Sequence, residues 1–244
     1  MSQLELALDA GTTQRHVSYI ENARSLPGRA MVLRLAEALQ IPLRDRNAFL
    51  LAGGYAPAYG ETSLDDSEFG PVRSAVERIL EGHLPYPAVA AARHGELVSA
   101  NAAFWALIDG TAPELLEPPV NVPRVLMHPN GLAPRILNFD VWAWHIIEAL
   151  KRESVRNPSE RLDSLIVELE SLAPDRPRPQ GPDYLGFSVP LRLRAVDAEL
   201  ELITTLTYFG TAVDVAVAEL RLEAFLPADE ATATALAKLV AAAS

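Results

Sequence analysis

The 244-residue sequence contains no cysteine, which excludes disulfide bonds, thiolate nucleophiles and cysteine-ligated metal sites. It also has no apolar run close to the ~18 residues that a membrane-spanning helix needs. The acidic N-terminus MSQLELALDA lacks the basic and apolar regions of a signal peptide. These absences indicate a cytoplasmic protein without a membrane partner.

Positive charge is scarce as well and is unevenly distributed. The chain holds 21 Lys and Arg against 32 Asp and Glu, a net charge of −11, which argues against a general affinity for nucleic acid. Residues 1–52 nevertheless hold six arginines against five acidic residues, whereas the rest of the chain carries a balance of −12. Arginine suits bidentate contacts with phosphate and guanine. The asymmetry predicts two modules with different partners.

The first module, residues 1–54, has the pattern of a helix-turn-helix domain. Gly11 allows a positive φ in a tight turn between the first two helices. Residues 55–66, rich in glycine, proline and acidic residues, are predicted to form a linker and hinge. The apolar spacing predicts four helices, over residues 2–8, 13–22, 29–39 and 43–53.

The second of these helices carries the side chains expected of a helix that reads DNA. Such a helix enters the major groove with polar residues at its N-terminus, where glutamine can pair with adenine and arginine with guanine. Polar and basic residues just beyond it lie where phosphates pass. The alternative is a small dimerisation module that merely carries arginines. The candidate DNA contacts are Thr12, Thr13, Gln14, Arg15, Ser18, Asn22, Arg24 and Arg29.

The second module, residues 67–244, mixes helices with strands. Residues 86–108 predict a strand, a tight turn, a second strand and a helix capped by Asn101. Two helices flank Asn157–Pro158, and a helix capped by Asp229 closes the chain. In the last predicted strand the apolar positions change parity near Glu219, which indicates a bulge or a change of covered face. Three later strands are predicted over residues 187–196, 199–210 and 213–226.

Longer segments resemble two known families. SQLELALDAGTTQRHVSYIENARSLPGRAMVLRLAEALQIP resembles the XRE-type helix-turn-helix of phage repressors. YPAVAAARHGELVSANAAFWAL, LMHPNGLAPRILNFDVWAWHII and TTLTYFGTAVDVAVAELRLEAFLPADEATA resemble the ligand-binding domain of MmyB-like bacterial regulators. The resemblance covers nearly the whole chain. It implies an α+β protein in which an all-α helix-turn-helix domain precedes a PAS-like domain with an antiparallel sheet.

The resemblance also implies partners. It predicts a homodimer on double-stranded operator DNA, with Gln3 contacting phosphate. It predicts that the C-terminal domain dimerises and binds a small apolar effector, for which fatty acids are the natural candidates. The expected function is a ligand-responsive transcriptional regulator.

One departure from the family pattern concerns the start of the first module. Family members carry another helix before the segment SQ, where this sequence has Met1. We expect its absence to expose Leu4, Leu8, Val17 and Leu35 and to leave Glu21 unpaired. Burying about 300 Å² less apolar area would cost several kcal/mol at ~25 cal/mol per Å². Either the start lies upstream, or the module is weakened, or a partner subunit fills the gap, and we expect this chain to bind DNA poorly. The alternative function is a ligand-binding or scaffolding protein whose helix-turn-helix no longer binds DNA.

The candidate ligand site rests on aromatic clusters and two polar residues. A PAS-like sheet covered by helices can enclose an apolar cavity, although ordinary core packing is the alternative for the aromatic residues. His128 and Arg135 lie in apolar surroundings and could anchor a carboxylate, while a turn or capping role is the alternative for His128. The candidate ligand contacts are Phe104, Trp105, Leu126, Met127, His128, Arg135, Trp142, Trp144 and Tyr208.

Catalytic motifs are missing from the sequence. The five histidines show no paired-ligand spacing, and the chain has no GxSxG, Walker or GxGxxG motif. We expect no enzymatic activity, no metal site and no cofactor other than the apolar effector.

Overall fold

The computed structural model describes residues 1–63, 66–175, 188–195 and 198–243. The chain forms two compact units. The first comprises Met1–Phe69 together with Phe209–Glu219, and the second comprises Gly70–Tyr208 together with Leu220–Ser244. This division differs from the predicted one because the first unit extends past residue 54 and includes a segment from far along the chain.

The first unit begins with the predicted helix-turn-helix. At its start Ser2 Oγ accepts a hydrogen bond from the Glu5 amide (3.2 Å), and the Ser2 amide donates to the Glu5 carboxylate (2.6 Å), a reciprocal cap. Gly11, with a φ of 60°, supplies the left-handed turn between the first two helices. The helices of this unit are α1 (Gln3–Asp9), α2 (Gln14–Glu21), α3 (Arg29–Ala38), α4 (Leu43–Ala52) and α10 (Val215–Glu219).

The small core of the first unit corrects part of the exposure prediction. Leu4 and Leu8 are 53% and 71% exposed, as expected. Val17 is only 2% exposed and Leu35 is half-buried, so the expectation for Val17 is wrong. The reason is that α1 and α3 already bring buried side chains into the same small core. The buried apolar side chains of α1 to α4 are Ala7, Val17, Val32, Ala36 and Leu50.

The described part of the predicted linker is bonded to α4. The Asn47 carboxamide oxygen accepts from the amides of Ala58 (2.9 Å) and Tyr59 (3.1 Å), and its nitrogen donates to the Tyr59 carbonyl (2.8 Å). The Tyr55 hydroxyl donates to the Pro27 carbonyl (3.0 Å). These bonds hold Tyr55, Ala58 and Tyr59 on the first unit, within the segment 55–66 that we expected to be a linker and hinge, and Leu64 and Asp65 lie outside the described residues.

The second unit contains a five-stranded antiparallel sheet with the strand order β2-β1-β5-β4-β3. This confirms the predicted α+β class and the PAS-like antiparallel sheet. Its helices are α5 (Gly70–Glu81), α6 (Ala102–Leu107), α7 (Val122–Met127), α8 (Phe139–Arg156), α9 (Glu160–Leu172) and α11 (Glu230–Ala243). Its strands are β1 (Ala88–Ala91), β2 (Leu97–Ala100), β3 (Leu191–Arg194), β4 (Glu199–Tyr208) and β5 (Arg221–Pro227).

A buried asparagine joins the start of the sheet to the helix that follows β2. Asn101 Oδ1 accepts from the amides of Ala88 (3.1 Å) and Phe104 (3.0 Å). Its Nδ2 donates to the carbonyls of Leu80 (3.0 Å) and Tyr86 (2.9 Å). The predicted cap of α6 is therefore confirmed, and the same side chain also holds the segment between α5 and β1. The predicted Asp229 cap of α11 is confirmed by its bond from the Thr232 amide (2.7 Å).

Two strand predictions need correction. Residues 213–219 do not continue a strand, because α10 occupies Val215–Glu219 and β5 begins at Arg221. Asp214 caps α10 by accepting from the amides of Ala216 (2.8 Å) and Val217 (3.3 Å), so the parity change marks a helix-to-strand boundary. In the predicted strand 187–196, β3 is shorter, and Phe187 and Val196 lie outside the described residues.

No helix in the described ranges is both long enough and apolar enough to cross a membrane.

Candidate functional site

The outward face of α2 carries the predicted DNA contacts. Gln14 and Arg15 are exposed and Ser18 is half-buried, while Val17 on the opposite face points into the core. Asn22 is exposed at the C-terminal cap, where its side chain donates to the Ser18 carbonyl (2.7 Å). The local sequence thus presents polar side chains on one face of α2, while Val17 anchors the opposite face in the core.

Two threonines shape the N-terminus of this helix. Thr13 Oγ1 accepts from the His16 amide (3.2 Å) and is the N-cap of α2. Thr12 Oγ1 lies 3.0 Å from His16 Nδ1. Both predicted contacts therefore stand at the positive end of the helix dipole, where a phosphate oxygen is stabilised.

Arg15 is held on the surface of α2 by Tyr19. Its Nε and Nη2 donate to the Tyr19 hydroxyl (3.1 and 2.8 Å), and the guanidinium lies 5.1 Å from the centre of the Tyr19 ring. This cation–π contact one helical turn away reduces the number of orientations that the arginine samples. Arg24 and Arg29 follow on the exposed surface after α2 and at the first position of α3.

The predicted phosphate contact Gln3 has a partner within the domain. Its Nε2 donates to Glu21 Oε2 at 2.5 Å, which joins the first residue of α1 to the last residue of α2. The expectation that Glu21 is unpaired is therefore wrong. Sequence spacing gave no signal for this pair, because it depends on how α1 and α2 pack.

The ligand candidates are divided between the core of the second unit and its surface. Four of them belong to the hydrophobic core, namely Phe104, Leu126, Met127 and Trp142. Phe104 stacks on Phe225 with ring centres 6.2 Å apart, as ordinary core residues do. Trp105 and Tyr208 are 43% and 58% exposed. The structure therefore does not gather all nine candidates around one point.

The remaining candidates are polar or half-buried. His128 Nδ1 accepts from the Asn130 amide (3.0 Å), which is the turn role considered as its alternative. Trp144 Nε1 donates to the Pro174 carbonyl (3.0 Å), and the Lys151 ammonium lies 5.7 Å from its ring. These two side chains lie at the edge of the core.

Arg135 is a half-buried cation. Its Nη1 donates to the carbonyls of Leu107 (2.9 Å) and Asp109 (3.3 Å), and its Nε donates to the Arg194 carbonyl (3.2 Å). Burial lowers the pKa of this guanidinium, against which the charge of Asp109 acts. Within the described residues its hydrogen bonds come from Nε and Nη1.

Comparison with protein families gives two matches. Residues 72–239 match the MmyB-like transcription regulator ligand binding domain, and residues 1–45 match a helix-turn-helix family. The first match covers more than half of the chain. The chain belongs to the MmyB-like transcription regulators. The comparison with curated proteins found no match.

Both matches confirm the resemblance predicted from the sequence motifs. This MmyB-like protein is a ligand-responsive transcription regulator, in which a helix-turn-helix domain for DNA precedes a domain for a small-molecule effector. The α2 face lies within the helix-turn-helix match, and Arg135 lies within the ligand-domain match.

Sequence reasoning missed a polar cleft in the second unit of this MmyB-like regulator. Arg124 donates two bonds to Glu168 (2.5 and 2.7 Å), which lowers the pKa of that carboxyl, and Arg161 pairs with Glu96. The residues come from three separate segments, 94–96, 119–124 and 161–168, so no local spacing signals them. The cleft, of about 170 Å³, is lined by His94, Glu96, Pro119, Asn121, Arg124, Arg161, Ser164, Leu165 and Glu168.

Proposed function

We propose that this regulator binds operator DNA as a homodimer through the exposed face of α2, and that a small apolar carboxylate, such as a fatty acid, changes that binding. The observation that carries the proposal is the α2 face itself, where Gln14, Arg15 and Ser18 lie exposed or half-exposed on a capped helix anchored by Val17. Bidentate contacts of glutamine or arginine with a base contribute ~1–3 kcal/mol each to discrimination.

Charge favours a dimer over a single helix-turn-helix domain (residues 1–54), which we call a reading head. Residues 1–52 carry a balance of only +1, so one head neutralises few phosphates. Two heads about 34 Å apart double the phosphate contacts and read two half-sites. We count Arg15, Arg24 and Arg29 as the cations nearest the reading face of each head.

Arg135 supports a carboxylate effector. Its guanidinium is half-buried and donates to the carbonyl of Leu107, a residue of the apolar core. A carboxylate at this guanidinium would gain a charge-assisted hydrogen bond, which is shorter and stronger than a neutral one. An apolar tail would then add ~25 cal/mol for each Å² that it buries.

The salt dependence of DNA binding tests the reading head. Duplexes are selected from a random pool on the full chain, and their dissociation constants are measured by fluorescence anisotropy at several salt concentrations. About six phosphate contacts in a dimer give a slope of log K against log salt near −5, whereas about three in a monomer give a slope near −3. Arg24→Ala should flatten the dimer slope by about two, one contact for each head, while the matched change Lys238→Ala in α11 should not change it.

Native mass spectrometry of the purified protein tests the homodimer and the carboxylate effector. We expect a dimer mass and a retained carboxylate that is displaced by palmitic acid. Absence of any duplex complex at low salt would instead favour the ligand-binding protein with an inactive helix-turn-helix. An apo monomer would contradict both the dimer and the effector.

A further inference from the structure

The segment between β4 and β5 folds with the DNA-binding unit. The chain leaves β4 at Tyr208, and residues Phe209–Glu219 belong to the first unit before the chain re-enters the second at Leu220. β4 and β5 are paired directly, from Leu202 opposite Pro227 to Tyr208 opposite Arg221. The two ends of this segment are therefore held at one end of a strand pair of the ligand-binding domain.

An arginine of α4 holds the end of this segment. Arg44 donates through Nε to Glu219 Oε1 (2.7 Å) and through Nη2 to Glu219 Oε2 (2.9 Å). The same Nη2 lies 2.5 Å from Glu61 Oε1. The two-point geometry orients Glu219 more strongly than a single ion pair would.

The start of α10 is joined to the connection that follows α4. Asp214 Oδ2 accepts from the Thr62 amide (2.9 Å) and from the Thr62 hydroxyl (2.9 Å). The Val215 amide donates to the Gly60 carbonyl (2.9 Å), and the Val215 side chain is 1% exposed. Residues 214–219 are therefore packed into the first unit by backbone bonds, side-chain bonds and a buried apolar contact.

Helix α4 thus binds two segments of the first unit that lead toward the second. Asn47 binds the backbone at Ala58 and Tyr59 on the outgoing connection, and Arg44 binds Glu219 on the β4–β5 segment. Helix α4 packs on α3, and Arg34 of α3 donates to the Gly11 carbonyl (3.4 Å) in the turn that sets α2. Within the first unit, contacts therefore lead from Glu219 through α4 and α3 to the turn before α2.

We propose that the β4–β5 segment, seated on α4 through Glu219 and Asp214, is the regulatory connection by which the ligand-binding sheet biases the DNA-binding helices. The inference rests on the proposed function for its biological meaning. A change in the pairing of β4 with β5 displaces Glu219, and the displaced Glu219 loosens Arg44 and the helix that carries it. Spatial continuity alone does not establish such coupling, so the test measures the coupling itself.

The first experiment needs neither DNA nor effector. Hydrogen exchange of the full chain is followed by mass spectrometry in the wild type, in Glu219→Gln and in Asp214→Asn. Both variants should raise exchange in residues 43–52 by about three- to tenfold, the range expected for loss of a partly exposed charged bond. Glu230→Gln, in the first turn of α11, is the matched control and should leave residues 43–52 unchanged. Faster exchange in 209–219 with no change in 43–52 would overturn the proposal.

A second substitution tests transmission from the sheet. Leu222 is buried in β5 opposite Thr207 of β4, close to where both strands enter the segment. Leu222→Val should raise exchange in residues 43–52 in the wild-type background and have little effect there when Glu219→Gln and Asp214→Asn are also present. An equal effect in both backgrounds would show that the signal bypasses the segment and would refute the inference.

Measurements of duplex and palmitic acid binding separate the proposed function from the proposed regulatory connection. With a selected duplex and palmitic acid as the probe, the Glu219→Gln/Asp214→Asn variant should bind both but lose the change in duplex affinity that palmitic acid causes in the wild type. A wild type that binds no duplex refutes the proposed function and leaves the exchange results to decide the coupling. A variant that keeps the full palmitic acid response overturns the regulatory connection while the proposed function stands.

Discussion

The buried side chain of Asn101 gives the sharpest stability prediction for the ligand-binding domain. Asn101 is 5% exposed and bonds four backbone groups at 2.9 to 3.1 Å. In Asn101→Ala, the Leu80 carbonyl keeps its bond from the His83 amide, while the Ala88 amide and the Tyr86 carbonyl lose the bonds that Asn101 provides. Loss of the cap costs ~1 kcal/mol and each of the two buried groups left without a partner costs ~1–3 kcal/mol, so we expect ~3–7 kcal/mol in total.

Tryptophan fluorescence during urea unfolding reports on the second unit, which contains Asn101, because all three tryptophans lie there. Asn157→Ala, which removes an exposed bond to Glu153, is the matched control and should change the free energy of unfolding by less than about 0.5 kcal/mol. Asn101→Asp keeps the acceptor but turns a charged oxygen toward two carbonyls, which raises the pKa of the introduced carboxyl. Its penalty should therefore shrink as the pH falls and the carboxyl gains a proton. A loss below about 1 kcal/mol in Asn101→Ala would refute the reasoning.

Three further predictions concern the turn before α2, the polar cleft and the reading face. Gly11→Ala places a side chain at a φ of 60° and should cost ~1–2 kcal/mol, with a smaller loss for Gly11→Asn, both measured by thermal unfolding followed by circular dichroism. The Arg124 bond lowers the pKa of Glu168, so its stabilisation is present at neutral pH and is lost as the pH falls below the usual glutamate range through the lowered value. Glu168→Gln should remove that dependence of the free energy of unfolding on pH, which amounts to at most ~1 kcal/mol for this partly exposed pair. Urea titrations at several pH values measure it. Arg15→Lys keeps the charge but loses the planar guanidinium. The difference in binding free energy between selected and scrambled duplexes should therefore fall by ~1–3 kcal/mol, while the salt slope stays unchanged.

Local chemistry made much of the fold predictable. Caps at Asn101 and Asp229 lie where the sequence places them, because a capping side chain bonds its own first turn and needs no distant partner. The positive φ of Gly11 follows from the same kind of local constraint. The helices and strands around these positions were therefore accessible from the sequence alone.

The features that the sequence did not reveal depend on tertiary packing. VDVAVAEL alternates like a strand, yet Asp214 caps a helix there that packs against α4. The pairs Gln3–Glu21 and Arg44–Glu219 join residues that no spacing rule connects. Aromatic residues raise a different problem, since a pocket wall and a filled core have the same composition. Phe104 and Trp142 turned out to be core residues.

The reading head carries little charge of its own, and this makes its geometry the controlling variable. With a balance of only +1 over residues 1–52 and −11 for the whole chain, non-specific attraction to DNA contributes little. Under the proposed function, base contacts by Gln14 and Arg15 must then add to the few phosphate contacts of each domain, and base contacts depend on how α2 is placed in the groove. Because Asn47 and Arg44 bind two segments that lead to the ligand-binding domain, the coupling that we propose would act on α4 directly. On that proposal a weakly charged helix-turn-helix domain responds more to an effector than a strongly basic one, whose phosphate contacts would hold it on DNA in either state.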